Sequence, residues 1–110
     1  MTQITFYKTS AGEYKRFTCD GHAGFADYGK DIVCASISVL VINTINSLEQ
    51  ITGEQMHVES DENTGTIQCN FIDQPLKETS RALMDSLVLG LSQIEKQYGK
   101  NYCKLTFEEV

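Results

Sequence analysis

The chain has no tryptophan, a single proline and no two cysteines close enough to form a Cys-x-x-Cys pair. Its four cysteines, Cys19, Cys34, Cys69 and Cys103, stand 15, 35 and 34 residues apart. That spacing, with no second histidine nearby, argues against a metal site. Basic residues are scarce: nine Lys and Arg against fifteen Asp and Glu leave a net charge of −6. Such a chain lacks the clustered cations that grip a phosphate backbone, so direct nucleic-acid binding is not expected. A cationic partner suits it better. No apolar run reaches the roughly 20 residues of a membrane helix. The longest, over residues 32–45, is interrupted by Ser36, Ser38, Asn43 and Thr44. The opening MTQITFYKTS has neither a basic nor an apolar leader segment, so no signal peptide is expected and the cytoplasm is the expected setting. Structural disulfides are disfavoured there.

What is present is the material of one ordinary globular domain over residues 1–110, 41% apolar and 22% charged. Residues 3–9 and 14–20 are rich in strand formers and flank a turn, which predicts a hairpin. Phe17 and Cys19 then share one face of the second strand, and Tyr14, Arg16 and Thr18 the other. A loop follows to Lys30. Asp31 is placed as the N-cap of a helix running to about Thr52 and stopping at Gly53. Its main apolar stripe is Val33, Ile37, Leu40, Val41, Ile45, Leu48 and Ile51. Ile32, Ala35, Val39 and Ile42 lie away from that stripe. A helix apolar on two sides predicts a second cover, which in so small a domain points to another subunit.

A second hairpin is expected from strands at 55–60 and 66–72 about the turn at 61–65. A second helix opens with Pro75 in its first turn, carries Leu76, Leu83, Leu87, Leu91, Ile94 and Tyr98, and closes at Gly99. A last strand covers 101–109. The order is ββαββαβ, an α+β fold with a mainly antiparallel sheet and two helices packed on it.

The chemistry concentrates between residues 21 and 38. Cys19, Cys69 and Cys103 alternate with apolar residues in strands, where cysteine behaves as a small buried hydrophobe. Cys34 instead stands in the first turn of a helix, where unpaired amides and the helix dipole favour a thiolate. His22 follows a strand end between Gly21 and Ala23, where small neighbours leave its ring accessible. His57 alternates with Met56 and Val58 and is expected to face solvent. Asp31 has two readings, as a helix cap or as the group that orients a histidine in a thiol triad. Ser38, one helical turn after Cys34, either donates a hydrogen bond to the site or allows close packing. The first amides of the helix, that of Cys34 among them, are the natural oxyanion donors. Gly21, Gly24 and Gly29 lack the Lys-Ser/Thr ending of a phosphate loop. They fit a mobile flap in which Phe25 and Tyr28 cover a bound chain.

Gly21-His22-Ala23, a glycine-bearing loop, and then Gly29-x-Asp31-Ile32-Val33-Cys34-Ala35-x-x-Ser38 resemble the bacterial ribosomal-processing cysteine protease family, called Prp. The likeness extends over the whole chain in length and element order. It implies a homodimeric cytoplasmic endopeptidase without cofactor or metal. Its substrate would be a large-subunit ribosomal protein, number twenty-seven of the series, cut after an aromatic residue to remove an N-terminal extension during ribosome assembly. The resemblance implies Cys34 as nucleophile and His22 as general base, with Asp31 and Ser38 in support. Two other classes stay open on the residues themselves: a non-catalytic ribosome-assembly or protein-binding module, and a redox-sensing thiol protein.

Overall fold

The computed structural model describes residues 1–27 and 30–110. Strand β1 (Thr2–Lys8) and strand β2 (Tyr14–Asp20) form the first hairpin. Helix α1 (Ile32–Ser47) continues into a π-helical turn, Leu48–Thr52, which ends at Gly53 in the left-handed conformation. Strands β3 (Met56–Asp61) and β4 (Thr66–Phe71) make the second hairpin. Helix α2 (Glu78–Tyr98) and strand β5 (Cys103–Glu109) complete the ββαββαβ order. The five strands lie in the order β3-β4-β2-β1-β5, antiparallel except that β5 runs parallel to β1.

One side of the sheet carries Ile4, Phe6, Phe17, Cys19, Cys69 and Cys103, all buried. Both helices press on it, α1 through Val33, Ile37, Val41 and Leu48, and α2 through Met84, Leu87 and Leu91, in a single core. Along the sheet Phe6 meets its neighbours on the adjacent strands, Phe17 at 5.8 Å and Phe107 at 5.5 Å between ring centroids. Such ring pairs are each worth about 0.5–1.5 kcal/mol beyond the area they bury. The helices approach closely at Gly90, where a side chain would begin 3.0 Å from a Leu40 methyl. Serine and threonine do not break α1 because their hydroxyls bond back to it, Ser36 to the Ile32 carbonyl and Thr44 to that of Leu40, both at 2.7 Å. Together α1 and the π turn form 21 continuous residues, long and apolar enough to cross a bilayer, contrary to the interruption read from the sequence. Within that span Val33, Ile37, Val41, Ile45 and Leu48 are buried in the core, whereas Ile32, Val39, Ile42 and Ile51 are exposed.

Four local expectations need correction. Tyr14 is buried with Phe17, not on the opposite face, because the β1–β2 register slips near Lys8: Tyr7 faces Arg16, and Lys8 faces Tyr14. The extra residue, Lys15, inverts the alternation. Tyr14 keeps its hydroxyl satisfied on Asp85 at 2.6 Å. Ile51 is 78% exposed, since the wider π turn rotates it out of the stripe while Leu48 stays buried. Pro75 precedes α2 and follows a cis peptide bond; the helix begins at Glu78. The Glu54 carboxylate, just beyond the π turn, accepts the N–H of Lys77, the residue before the helix, at 3.0 Å. Finally, Met84 and Ser80 are fully buried on α2, outside the expected stripe.

Candidate functional site

The site begins where β2 runs out. Gly21 has φ +89°, and a Cβ there would lie 2.7 Å from the Met1 carbonyl oxygen, so only glycine passes the start of the chain at this point. The next residue, His22, is exposed, and its Nδ1 stands 3.9 Å from the Cys34 sulfur. Cys34 is half-buried in the first turn of α1. Histidine and cysteine, twelve residues apart in sequence, are thus brought together as a thiol–imidazole pair.

Asp31 is what holds that arrangement. One carboxylate oxygen accepts the Cys34 N–H at 2.9 Å, and the other accepts the amides of Phe25 at 2.9 Å and Ala26 at 3.4 Å. The same side chain therefore caps α1 and folds the 22–27 loop against it. Burial opposes its ionisation, but the amides of Cys34, Phe25, Ala26 and Val33 outweigh that and hold the carboxyl below its ordinary value. Its backbone carbonyl also accepts the Ala35 N–H at 3.0 Å. The Cys34 and Ala35 amides are accordingly engaged by Asp31, so in this arrangement the Cys34 N–H is not turned toward an oxyanion. These bonds match the capping role of Asp31.

Of the loop expected as a flap, Gly21, Gly24 and Phe25 are among the described residues. Tyr28 and Gly29 lie outside the described residues. Gly24 has a positive φ of 73°, as a hinge would, but Phe25 does not cover the cysteine. Its ring packs edge-on against Tyr98 at 5.5 Å and Tyr102 at 5.2 Å, between the end of α2 and the start of β5. With its amide on Asp31 as well, Phe25 anchors the loop.

Two clefts meet at the pair. One, of about 560 Å³, runs between α1 and the β3–β4 hairpin over the apolar side chains of Ile42, Ile45, Val58 and Ile67, with Asp61 and Glu62 at its rim. The other, of about 430 Å³, lies over Gly24, Ala26, Asp31 and Ala35. His22, Cys34 and Ser38 line both, so an extended chain laid through the two passes over the sulfur. Ser38 is exposed to both clefts. No lysine or arginine lines either cleft among the described residues.

The other three thiols are of a different kind. Burial, with smaller contributions from the Cys103 and Cys34 thiols and Asp20, pushes Cys19 up to about 12. Burial alone pushes Cys69 up to about 12, and burial with Glu95 nearby pushes Cys103 up to about 11. They remain protonated and enclosed, as strand alternation predicts. His57 faces solvent. Among the described residues no three His, Cys, Asp or Glu side chains gather to hold a metal ion. Sequence reasoning missed the hairpin wall of the larger cleft and the Tyr98–Tyr102 anchor. Both are assembled by residues dozens of positions away from the motif.

Residues 1–103 match the family model described as cysteine protease Prp. The ribosomal processing cysteine protease Prp of Staphylococcus aureus (strain Mu50 / ATCC 700699) is 30% identical over 101 residues, covering 92% of this chain and 94% of that one. The protein of the same name from Bacillus subtilis is 26% identical over 104 residues, covering 92% and 93%. A crystal structure of the S. aureus protease in complex with a covalently linked product peptide superposes with a TM-score of 0.91 at 25% identity. It covers 98% of this chain and 100% of that one.

Proposed function

We propose a processing role, with His22 and Cys34 as its catalytic pair, for this chain, which belongs to the cysteine protease Prp family and is a cysteine-type peptidase. The substrate we infer is a ribosomal protein, since the relatives carry the name ribosomal processing cysteine protease. More finely, we infer that it is number twenty-seven of the large subunit, cut after an aromatic residue in the cytoplasm to remove an N-terminal extension. The observation that carries the reading is the 3.9 Å approach of His22 Nδ1 to the Cys34 sulfur at the junction of two clefts. That distance is within a small rotation of direct proton transfer.

In this mechanism Nδ1 takes the thiol proton, which requires the hydrogen of the neutral ring to sit on Nε2. The thiolate attacks the scissile carbonyl and forms a tetrahedral intermediate. His22 then protonates the leaving amine, and water drawn in by the same ring hydrolyses the thioester. With the Cys34 amide occupied by Asp31, the Ser38 hydroxyl, one turn along α1, is the donor we assign to the oxyanion. The apolar floor of Ile42, Ile45, Val58 and Ile67 suits an aromatic side chain before the cut. The acidic rim of Asp61 and Glu62 suits a cationic substrate region. A non-catalytic binding module is set aside by the family.

A second copy of the chain is inferred on the outer side of α1, where Ile32 and Val39 are 54% and 66% exposed. Light scattering at micromolar concentration should give twice the chain mass, and Val39→Lys should lower it; a parent chain of single mass ends the dimer reading. For the protease itself, Cys34→Ala and His22→Ala are assayed on a peptide spanning the substrate's extension. Each should lose on the order of 10³-fold in kcat/KM or more. Cleavage at the parental rate by either variant removes that residue from the catalytic role.

A further inference from the structure

The tip of the second hairpin lies against the imidazole, and nothing in the motif accounts for it. In the β2–β4 ladder Cys19 stands opposite Ile67. Two residues further on, that register brings Gly65 opposite Gly21, beside His22. Gly65 has φ +70°, and a Cβ on it would stand 3.0 Å from His22 Nε2, 3.1 Å from Cε1 and 3.4 Å from the Gly21 carbonyl oxygen. The ring thus has its Nδ1 edge toward the sulfur and its Nε2 edge toward the hairpin backbone.

The hairpin tip is itself held firmly. The Gly65 N–H donates to the Asp61 carbonyl at 2.9 Å, and the Asn63 N–H to the Asp61 carboxylate at 2.9 Å. The Thr64 hydroxyl donates to that of Thr66, and Thr66 donates to the Asp20 carboxylate, both at 2.9 Å. That last bond ties the hairpin to the end of β2, two residues before His22. A fixed wall at van der Waals distance restricts how far a ring can swing, and a ring confined on one side keeps its other edge directed.

We propose that Gly65 is a positioning residue for the reaction: its lack of a side chain lets the β3–β4 turn back the His22 ring and set its angle toward Cys34. The inference rests on the thiol–imidazole reading above. A methyl group at position 65 pushes the ring from its seat, because its carbon would begin 3.0 Å from Nε2, closer than carbons normally stand. Displacements of about 1 Å in a reacting geometry cost on the order of 10²-fold in rate.

Gly65→Ala also strains the backbone, since its φ is positive, so a matched control is needed. Gly12, in the β1–β2 turn, has φ +81° and open space where its Cβ would be. Gly12→Ala carries the same kind of strain without touching the site. The readout is the rate of Cys34 alkylation by iodoacetamide across about pH 5 to 9, the range in which an imidazole changes its influence, in parent, Gly12→Ala, Gly65→Ala and His22→Ala chains. It needs no peptide substrate. Among the described residues the charged groups near the ring include Asp61 and Glu62 from the hairpin, Asp20 from β2, Asp31 from the start of α1 and the Met1 α-amino group beside Gly24, and all five are unaltered in every variant. Peptide kcat and KM are measured alongside, below the melting temperature of each variant.

The expected result is a Gly12→Ala profile that follows the parent and a Gly65→Ala profile moved toward that of His22→Ala. Gly65→Ala should also lose at least about tenfold in kcat, with KM changed less. A Gly65→Ala profile superposing on the parent and Gly12→Ala overturns the proposal while leaving the thiol–imidazole pair intact. A His22→Ala profile identical to the parent overturns the pair and this proposal with it.

Discussion

Cys19 and Cys34 line the same cleft, one from the end of a strand and the other from the start of a helix. The strand thiol is enclosed by the core, and burial pushes it up to about 12. The helix thiol is half-buried and has an imidazole nitrogen 3.9 Å away. What separates them is the angle at which their elements meet the cleft. Alternation in β2 turns Cys19 inward among Ile4, Phe17 and Cys103, whereas the first turn of α1 leaves Cys34 at the border between core and solvent. The start of α1 also carries Asp31, whose two carboxylate oxygens bind the loop on one side and the helix on the other. The sheet interior is held by packing. The reactive end of the molecule is held by a few hydrogen bonds around one carboxylate.

That contrast is most directly broken by chemistry on the thiols. Iodoacetamide at about pH 8 should label Cys34 in the folded chain at least about 10²-fold faster than Cys19, Cys69 or Cys103, as peptide mass mapping would read. A thiol at about 11 is ionised to only about one part in 10³ at that pH, and enclosure slows it further. Comparable labelling of any strand cysteine would mean that the core opens on the timescale of the reaction. A smaller effect is expected one turn along the helix. Ser38→Ala should lose on the order of 10²-fold in kcat with little change in KM, since an oxyanion donor acts in the transition state. A loss confined to KM would make Ser38 a substrate contact instead.

The smallest effect concerns the hydrogen bonds themselves. Asp31→Ala removes the cap, and denaturant unfolding should show a loss of about 0.5–2 kcal/mol. Because its amide partners make the carboxyl easier to ionise in the fold than in the unfolded chain, its contribution is fully present above the unfolded value of about 3.9. It is lost as pH falls through the lower folded value. The stability gap between parent and Asp31→Ala should therefore be constant from neutral pH down to about 4 and shrink below it. A gap that instead widens on acidification would show the carboxylate to be destabilising in place.

Asp31 also marks how far the sequence could be read. Its carboxylate bonds an amide three residues ahead, a distance the local chain sets by itself, and so an N-cap is visible in the letters. The element order, the helix stop at Gly53 and the inward strand cysteines are legible for the same reason: each follows from periodicity or backbone preference within a few residues. The reading of Tyr14 failed because one extra residue in a strand inverts every side chain beyond it, and only pairing with the partner strand reveals the slip. Phe25 was assigned to a flap because its partners, Tyr98 and Tyr102, come from the other end of the chain.

The His22–Cys34 pair lies between these cases. Its two residue types and the helix start under the cysteine are written in one short stretch, and so was the chemistry they imply. The larger cleft and the glycine behind the ring depend on β4 settling beside β2, about fifty residues away along the chain. Local sequence determined which groups could react, because capping and alternation are short-range. Tertiary structure decided what stands around them, because the wall behind the imidazole is built from a hairpin whose own sequence speaks only of a turn.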